Sequence, residues 1–375
     1  MSGFSTSRIE KGTINSSVVA ASYAVRGPIV ARSMELDKQL KSGYPLPFDK
    51  IISCNIGNPQ ALEQKNLTFI RDVLSLVMNP GLADRTTFPP DVVDRAKKYL
   101  GAIPNAGAYT ESQGISVVRE EVAQFLADRD GYPASAGDIF LTNGASEGVR
   151  FCMQTIIRDP TSGFTDGVLT PIPQYPLYSA LTTLLRGTLI PYYLNEENAW
   201  SCSVSDLQQA LDKAKAEGVT PRALVIINPG NPTGQVMLED NMIEIVRWCQ
   251  AQGVCLMADE VYQENVWKTG ARFVSFRKVA YDIAAFTGEK PLQLVSFHSI
   301  SKGFLGECGL RGGYFEMLGF PADVRAEILK LASISLCSNT IGQLATGLMV
   351  RPPEDGSPSF GVYSEERAAI LASLR

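Results

Sequence analysis

Residues 223–259 read ALVIINPGNPTGQVMLEDNMIEIVRWCQAQGVCLMAD, and this stretch decides the fold. The apolar runs at 223–228 and 255–259 have the length of strands. The residues between them, at 239–252, are predicted to form a helix. Apolar strands that alternate with helices indicate a largely parallel sheet that is covered by helices on both faces.

The same alternation continues on both sides of this stretch. Helices are predicted at 29–40, 67–78, 92–100, 114–130, 205–217 and 363–375. Strands are predicted at 139–142, 168–172, 188–194, 223–228, 255–259, 292–298 and 313–316. Residues 1–22 are expected to form a flexible arm. The predicted fold class is therefore α/β, with a three-layer domain around a mostly parallel sheet.

Composition and charge narrow the range of partners. The chain has 375 residues, of which 45% are apolar and 19% are charged, as in ordinary globular proteins. A net charge of −5 without a dense run of lysine and arginine argues against nucleic acid and anionic membrane as partners. No apolar run reaches the roughly 18 residues of a membrane span.

Cysteine and histidine usage bears on compartment and metals. The seven cysteines are scattered and form no Cys-x-x-Cys pair, which indicates a reduced, intracellular protein. The only histidine, His298, argues against zinc held by several histidines, and no metal site is predicted. The N-terminus as far as Met34 is rich in serine and threonine and poor in acids, a weak feature of mitochondrial transit peptides. Cytoplasm is the expected location, with the mitochondrion as the alternative.

A lysine, two hydroxyls and a guanidinium follow the predicted strand at 292–298. They belong to Lys302, Ser299, Ser301 and Arg311. The amine of Lys302 can form an imine with an aldehyde, and the other three side chains can hold a phosphate. Pyridoxal phosphate is the common biological ligand that carries both groups. Ligands of such sheets bind at the carboxyl ends of strands, where these residues lie.

Residues after other strands supply further contacts. Asn231 lies in the turn 228–234, which two prolines and two glycines hold rigid. The carboxylate of Asp259 can pair with a protonated pyridine nitrogen and keep the ring electron-withdrawing. Asn231 and Tyr262 can hydrogen-bond the phenolic oxygen of the ring, and Tyr175 can stack on its face.

The segment 142–148, Thr-Asn-Gly-Ala-Ser-Glu-Gly, joins a strand to a helix. Its small residues, among them Ala145 and Ser146, let backbone N–H groups approach a phosphate at the helix N-terminus. Each candidate also has an ordinary structural explanation, since strand-end aspartates commonly cap turns and most tyrosines are packing residues. Together the candidates supply every contact that one cofactor needs.

The same segment also allows a hydrolase interpretation. Residues 144–148 match Gly-x-Ser-x-Gly, and the chain order of Ser146, Asp259 and His298 is that of an α/β-hydrolase triad. A pattern with so few fixed positions arises easily by chance. This interpretation also leaves the lysine and the arginine without a role, so the pyridoxal interpretation is favoured.

Longer motifs carry a family resemblance. They are YAVRGPIV (23–30), NIGNPQA (55–61), PIPQYPLYSA (171–180), INPGNPTGQV (227–236), DEVYQ (259–263) and SKGFLGECGLRGGY (301–314). With these motifs the chain from about residue 23 onward resembles the fold-type I pyridoxal-phosphate aminotransferases, and among them the alanine:2-oxoglutarate transaminases.

The resemblance implies a role for each candidate residue. Lys302 would be the catalytic Schiff-base lysine, which moves the proton from the α-carbon of alanine. Gly57 would line the substrate pocket. Tyr109 would reach the phosphate of the neighbouring subunit, so a homodimer is expected. The cofactor-binding residues that it implies are Ala145, Ser146, Tyr175, Asn231, Asp259, Tyr262, Ser299, Lys302 and Arg311, together with Tyr109.

The resemblance also implies how the chain is divided. It places an N-terminal arm and the start of a small domain at 1–50, the large pyridoxal-phosphate domain at 51–325, and an interdomain helix with the incomplete start of a small α+β domain at 326–375. In the family, the arginine that clamps the substrate α-carboxylate lies further on, within Asn-Pro-x-x-Gly-Ala-Met-Tyr. That motif is absent from this sequence. The chain is therefore expected to be a fragment, a truncated gene product or an incomplete gene model.

The expected reaction is the transamination of L-alanine with 2-oxoglutarate to pyruvate and L-glutamate. Two alternatives stay open. One is glutamate:glyoxylate transamination, which uses nearly the same motifs. The other is a catalytically impaired remnant that binds pyridoxal phosphate.

Overall fold

The structure of the protein is a computed structural model that describes residues 9–23, 25 and 27–374. Residues 1–8 of the predicted arm lie outside this part. Within the rest of the arm, Ser16–Ala20 forms a short helix, α1, in which Ser17 is buried. Arg186 Nε donates a hydrogen bond to Ser17 Oγ at 3.2 Å. The prediction of a flexible arm is wrong for this segment, because the main body of the protein holds it.

A seven-stranded sheet runs through the centre of the molecule. Its strands are β1 (Ile139–Thr142), β2 (Asp166–Ile172), β3 (Thr188–Tyr193), β4 (Thr220–Ile227), β5 (Cys255–Asp259), β6 (Leu294–Ser299) and β7 (Gly313–Leu318). They stand in the order β1-β7-β6-β5-β4-β2-β3. β7 is antiparallel to both of its neighbours, and the other neighbouring pairs are parallel. The predicted, largely parallel sheet is confirmed.

Helices precede the sheet and connect its strands. Those before it are α2 (Pro28–Lys41), α3 (Thr68–Met78), α4 (Pro90–Ala102) and α5 (Ser116–Asp130). Those after β1 are α6 (Ala145–Ile156), α7 (Leu177–Leu184), α8 (Val204–Ala216), α9 (Glu239–Gln252), α10 (Phe276–Thr287), α11 (Ala322–Ile334), α12 (Thr340–Val350) and α13 (Phe360–Ser373). Each helix that the sequence predicts overlaps an observed one, with ends that differ by a few residues.

Side-chain alternation explains why the central strands are apolar throughout. Successive residues of a strand point to opposite faces of the sheet. On β4, Leu224 and Ile226 pack in an apolar cluster with α8, α9 and α10. Val225 and Ile227 pack in a second cluster with α6, α7 and α11. Helices therefore cover both faces of the sheet, and the predicted three-layer α/β architecture is confirmed.

Strand directions bring several loops to one edge of the sheet. β1 is antiparallel to β7, and β7 is antiparallel to β6, so β1 runs in the same direction as β6. The carboxyl ends of β1, β4, β5 and β6 consequently lie on the same side, together with the start of β7. A third apolar cluster, in which α3, α4, α5, α12 and α13 pack beside β1 and β7, supports this end of the sheet.

No helix among the described residues is long and apolar enough to cross a membrane. Those residues also contain no group of His, Cys, Asp and Glu side chains that could hold a metal ion. All seven cysteines are free thiols.

Candidate active site

The loops at the carboxyl edge of the sheet enclose a cavity of about 850 Å³. All but one of the candidate residues line it. These are Gly57, Ala145, Ser146, Tyr175, Asn231, Asp259, Tyr262, Ser299, Ser301, Lys302 and Arg311. Tyr109 lies outside the cavity and is 78% exposed.

Asp259 closes the floor of the cavity at the end of β5. Its Oδ2 accepts a hydrogen bond from the hydroxyl of Tyr178 at 2.7 Å. Its Oδ1 is buried and has no hydrogen-bond partner among the residues that the structure describes. Burial raises the pKa of Asp259, against the opposing effects of Tyr178, the backbone N–H of Val261 and the charge of Lys302. A buried carboxylate oxygen without a partner calls for a ligand atom, and a cationic ring nitrogen satisfies it.

Lys302 presents its amine to the same cavity. Its Nζ donates to the carbonyl oxygen of Gly57 at 3.1 Å and lies 5.9 Å from the ring centre of Tyr262. Burial lowers the pKa of Lys302, the charge of Arg311 adds to this, and Cys308 and Asp259 oppose it. A lowered pKa raises the fraction of neutral amine, which is the form that acts as nucleophile and base.

Arg311 supplies positive charge at the end of the cavity where an anion could bind. Its guanidinium donates to the carbonyl oxygens of Asn143 at 3.0 Å and Cys308 at 2.9 Å, and reaches Ser301 Oγ at 3.4 Å. Gly144 leaves room for it, because a Cβ at this position would collide with Arg311 Nη2. Gly144 also has a φ of +80°, which disfavours any other residue.

The N-terminus of α6 faces the same end of the cavity. Gly144 precedes the helix and offers no side chain to cap it, so the first N–H groups are left for an anion. Ala145 and Ser146 form this first turn and line the cavity. The helix dipole adds positive potential to the charge of Arg311.

Ser299 has a different environment from Ser301. Its hydroxyl donates to the carbonyl oxygen of Gly312 at 3.1 Å and accepts from the backbone N–H of Ser301 at 3.1 Å. While it makes these bonds, it has no proton left to donate to a phosphate oxygen. In this arrangement Ser299 shapes the loop between β6 and β7, although it lies in the cavity where the sequence predicts it.

Asn231 and Tyr262 meet at the side of the cavity. Asn231 Nδ2 donates to the hydroxyl oxygen of Tyr262 at 3.0 Å. The turn that carries Asn231 is held by a bond from the N–H of Gly230 to the carbonyl of Gln235 at 2.9 Å. Burial raises the pKa of Tyr262 above its usual value, so its hydroxyl keeps the proton and stays a donor.

Tyr175 covers the cavity together with a residue that the sequence does not predict. The hydroxyls of Tyr23 and Tyr175 lie 2.6 Å apart, and the two rings meet edge to face with centres 6.3 Å apart. Tyr178 is the other tyrosine missing from the predicted set. It lies in the first turn of α7, 81 positions from the Asp259 that it contacts, so local sequence spacing gives no sign of its role.

Asn339 is a further residue without a predicted role. Its Nδ2 donates to Asn143 Oδ1 and to the carbonyl oxygen of Arg311, both at 2.9 Å. Its Oδ1 caps α12 by accepting from the N–H of Gly342 at 2.6 Å. Asn339 thus ties the backbone of Arg311 to the loop after β1. Asn143 and Asn339 lie 196 positions apart, so local sequence spacing gives no sign of this contact.

The hydrolase interpretation fails on geometry. A triad needs a hydrogen bond between the carboxylate and the histidine. Asp259 is instead bonded to Tyr178, and His298 Nδ1 has no partner within the described part of the chain. The ring of His298 packs edge-on against Tyr314, with centres 5.7 Å apart, and does not line the cavity that holds Ser146. Burial, helped by Arg129, lowers the pKa of His298 to about 3.

Comparison with known proteins places this geometry in a family. Residues 71–375 match the family described as aminotransferase class I and II. The chain belongs to the class I and II aminotransferases. Alanine aminotransferase 2 of Panicum miliaceum is 50% identical over 368 residues, which cover 96% of this chain and 75% of that protein. Glutamate–glyoxylate aminotransferase 1 of Arabidopsis thaliana is 46% identical over 372 residues, covering 98% and 75%.

Solved structures of aminotransferases share the fold. The crystal structure of an aminotransferase from Escherichia coli superposes with a TM-score of 0.72 at 24% identity, covering 93% of this chain and 73% of that one. Class I and II aminotransferases depend on pyridoxal phosphate, and this chain is an aminotransferase of that kind. The cavity fits the cofactor. Asp259 Oδ1, which has no partner among the described residues, could accept from its ring nitrogen, and Arg311 with the start of α6 could bind its phosphate.

Proposed function

We propose that this chain transfers the amino group of L-alanine to 2-oxoglutarate and so forms pyruvate and L-glutamate. The observation that carries the proposal is that one cavity holds both the half-buried amine of Lys302 and the unpartnered carboxylate oxygen of Asp259. The choice of alanine is supported by the 50% identity to a relative named alanine aminotransferase.

The residues of the cavity would divide the work of holding the cofactor. When bound, pyridoxal phosphate supplies an aldehyde that condenses with amines and a ring that withdraws electrons from the substrate α-carbon. Asp259 would keep the ring nitrogen positively charged. Arg311 and the first turn of α6 would bind the phosphate, Tyr175 would cover the ring face, and Asn231 with Tyr262 would bind the ring oxygen.

Lys302 would carry the proton. As a neutral amine, its Nζ can remove the proton from the α-carbon of bound alanine. As an ammonium ion, it can deliver that proton to the carbon atom that carried the cofactor's aldehyde group, and the same two steps in reverse make glutamate from 2-oxoglutarate. The carbonyl of Gly57, which accepts a hydrogen bond from Nζ at 3.1 Å, would hold the amine in place between the steps.

Borohydride reduction of the cofactor-loaded protein tests this role. It should fix the pyridoxyl group to Lys302, and peptide mapping should find it there. Lys268 is a control, since it does not line the cavity and its Lys268→Arg variant should label as the wild type does. Labelling at another lysine, or no labelling at saturating cofactor, would contradict the assignment.

Glutamate:glyoxylate transamination is the second candidate. It is supported by the relative of that name, which is 46% identical to this chain. The two functions separate in one assay, in which the protein receives either alanine with 2-oxoglutarate or glutamate with glyoxylate. Alanine transamination requires the larger kcat/KM for the first pair, and the reverse order would favour the second candidate.

A homodimer would give Tyr109 a function. We propose that it reaches the phosphate in the neighbouring subunit, since it lies outside its own cavity and is 78% exposed. Large apolar side chains on the same chain are also exposed, among them Ile29 at 87% and Ile52 at 72%. Mixing a Lys302→Ala protein with a Tyr109→Ala protein tests the idea. Heterodimers would contain one intact site and regain activity, whereas independent sites would give none.

A further inference from the structure

Tyr178 makes a contact that has no part in the function proposed above. Its hydroxyl donates to Asp259 Oδ2 at 2.7 Å, and its side chain is 0% exposed. It packs in the apolar cluster that α6, α7 and α11 form against the sheet. One turn later, Thr182 Oγ1 donates to the carbonyl oxygen of Tyr178 at 2.8 Å. The ring is thus buried in this cluster, with its hydroxyl against the carboxylate.

The hydroxyl of Tyr178 keeps its proton at neutral pH and so acts as a hydrogen-bond donor. Burial and the nearby charge of Asp259 raise the pKa of Tyr178 well above its usual value, so the phenol keeps its proton. A phenol that donates to a carboxylate favours the ionised form of the acid. Tyr178 therefore opposes the effect of burial, which favours the neutral form of Asp259.

The contact also makes the two oxygens of Asp259 different. Oδ2 is occupied by Tyr178, and Oδ1 has no partner in the described part of the protein. Without the tyrosine, the carboxylate would lose its only side-chain partner among the described residues and would be less restrained from turning either oxygen toward the cavity. With it, a single oxygen faces the place where a ligand cation would lie.

We infer that Tyr178 is a positioning residue, which holds Asp259 so that Oδ1 meets the ring nitrogen of pyridoxal phosphate as a carboxylate. This inference rests on the proposed role of Asp259 and extends it to a residue that does not touch the cofactor. The other titratable groups that face Asp259 are Lys302, Tyr175, Tyr262 and its chain neighbour Glu260. Tyr178 is the one side chain that the structure shows bonded to it.

The test is the affinity of the full chain for pyridoxal phosphate, measured by fluorescence titration from pH 5 to 8. Tyr178→Phe removes only the hydroxyl, so the variant should fold, which circular dichroism checks. We expect affinity to fall about tenfold at neutral pH, the size of one hydrogen bond to a charged group. Since ionisation of Asp259 becomes harder without the tyrosine, the acid limb of the affinity profile should move to higher pH.

Tyr192→Phe is the matched control. Tyr192 is also buried, at 2% exposed, and its hydroxyl donates to the carbonyl oxygen of Val225 at 2.8 Å, away from Asp259. It should lose stability as Tyr178→Phe does but keep the wild-type affinity profile. Equal changes in both variants would show that Tyr178 acts only through packing, and the inference would be overturned.

A double-mutant cycle separates this inference from the proposed function. Asp259→Asn should weaken cofactor binding, and adding Tyr178→Phe to it should cost little more, because the tyrosine acts through the carboxylate. Additive effects would overturn the positioning role while leaving the role of Asp259 intact. An Asp259→Asn variant with wild-type affinity would instead contradict the proposed function itself.

Discussion

Asp259 and the carboxylates around Arg277 are all buried, but they have different side-chain partners. Arg277 is 0% exposed and contacts Glu316 at 2.8 Å and Asp130 at 3.3 Å. Arg129 adds a second guanidinium to Asp130 at 2.7 Å. We call these residues, Arg277, Arg129, Asp130 and Glu316, the Arg277 cluster. At Asp259 no guanidinium is bonded, and the single side-chain partner is a neutral hydroxyl.

The pKa values of Asp130 and Asp259 are shifted in opposite directions, whereas burial raises the pKa of Glu316 despite its contact with Arg277. Burial alone would raise the pKa of Asp130, but hydrogen bonds and charges from Arg129, with a hydrogen bond from Ser275, bring it below the usual value. At Asp259 burial prevails and the pKa is raised. A buried carboxylate is expensive to leave unpaired. Asp259 is buried without an arginine partner and lines the cavity, and this combination favours a role in ligand binding.

Glu260 shows a third way to bury an acid. It adjoins Asp259 in the chain and is 1% exposed, and its Oε1 accepts from the N–H of Phe276 at 2.7 Å. Burial raises its pKa to about 8, so it holds a proton at neutral pH. Glu260 is thus a neutral acid, whereas the neighbouring Asp259 has an oxygen that is free to contact a cation. Substitutions at the two positions should therefore have different effects.

Arg277→Met should give the largest effect, on stability. It leaves Glu316 and Asp130 buried with fewer cations, which costs roughly 3–5 kcal/mol. Urea unfolding measures the loss. The control is Lys330→Met, which breaks an exposed ion pair with Glu327 and should change stability by less than about 1 kcal/mol. Cofactor affinity per folded molecule should not change, and a stable Arg277→Met protein would mean that the cluster does not need this cation.

Asp259→Ala should affect the reaction rate and leave the stability of the protein largely unchanged. Without a carboxylate to hold the ring cationic, removal of the α-proton of alanine should slow by about 10²–10³-fold, as for the loss of one charge-stabilising group. Stability in the absence of cofactor should change little, because removal of a buried acid with a raised pKa is offset by the buried hydroxyl of Tyr178, which loses its acceptor. Exchange of the α-proton of alanine into deuterated water measures the first effect. Exchange at the wild-type rate would remove Asp259 from the mechanism.

Asp259 and the Arg277 cluster also show which features the sequence could predict. The apolar runs at β4 and β5 predict the sheet, and the residues after them predict Asn231 and Asp259, because strand ends are local features. The partners of these residues are not local. Tyr178 lies 81 positions from Asp259, and Arg277 lies 147 from Asp130, so packing rather than spacing brings them together.

The alternation of side chains along β6 explains why the hydrolase interpretation fails. Ser146, Asp259 and His298 have the order of a triad, but on β6 Phe297 and His298 point to opposite faces of the sheet. Phe297 packs beside α6, and His298 packs against Tyr314 in the layer of α5. The order of residues along a chain cannot show on which face a side chain lies, which is why the hydrolase pattern was a coincidence.

Glu260→Gln should change how the stability of the protein depends on pH. In the unfolded chain Glu260 loses its proton near its usual pKa of 4.5, and in the folded protein near 8. Its contribution to the free energy of unfolding is therefore complete below pH 4.5 and is lost as the pH rises to about 8, by at most about 1.4 kcal/mol per pH unit. Urea unfolding at several pH values should show wild type losing stability relative to Glu260→Gln over this range. Parallel curves would show that Glu260 is ionised in the fold.

Tyr262→Phe should give the smallest effect. It removes the hydroxyl that accepts from Asn231 Nδ2 at 3.0 Å and leaves that amide without its partner. Asn231 is half-buried beside the cavity, so water can replace the bond, and the net loss should be about 0.5–1.5 kcal/mol of cofactor affinity. Burial raises the pKa of Tyr262, which makes it a poor carrier of protons, so α-proton exchange should stay close to wild type at saturating cofactor. If exchange slows as much as in Asp259→Ala, Tyr262 shares the proton transfer with Lys302. The neutral hydroxyl of Tyr262 would then affect the rate as strongly as the buried carboxylate of Asp259.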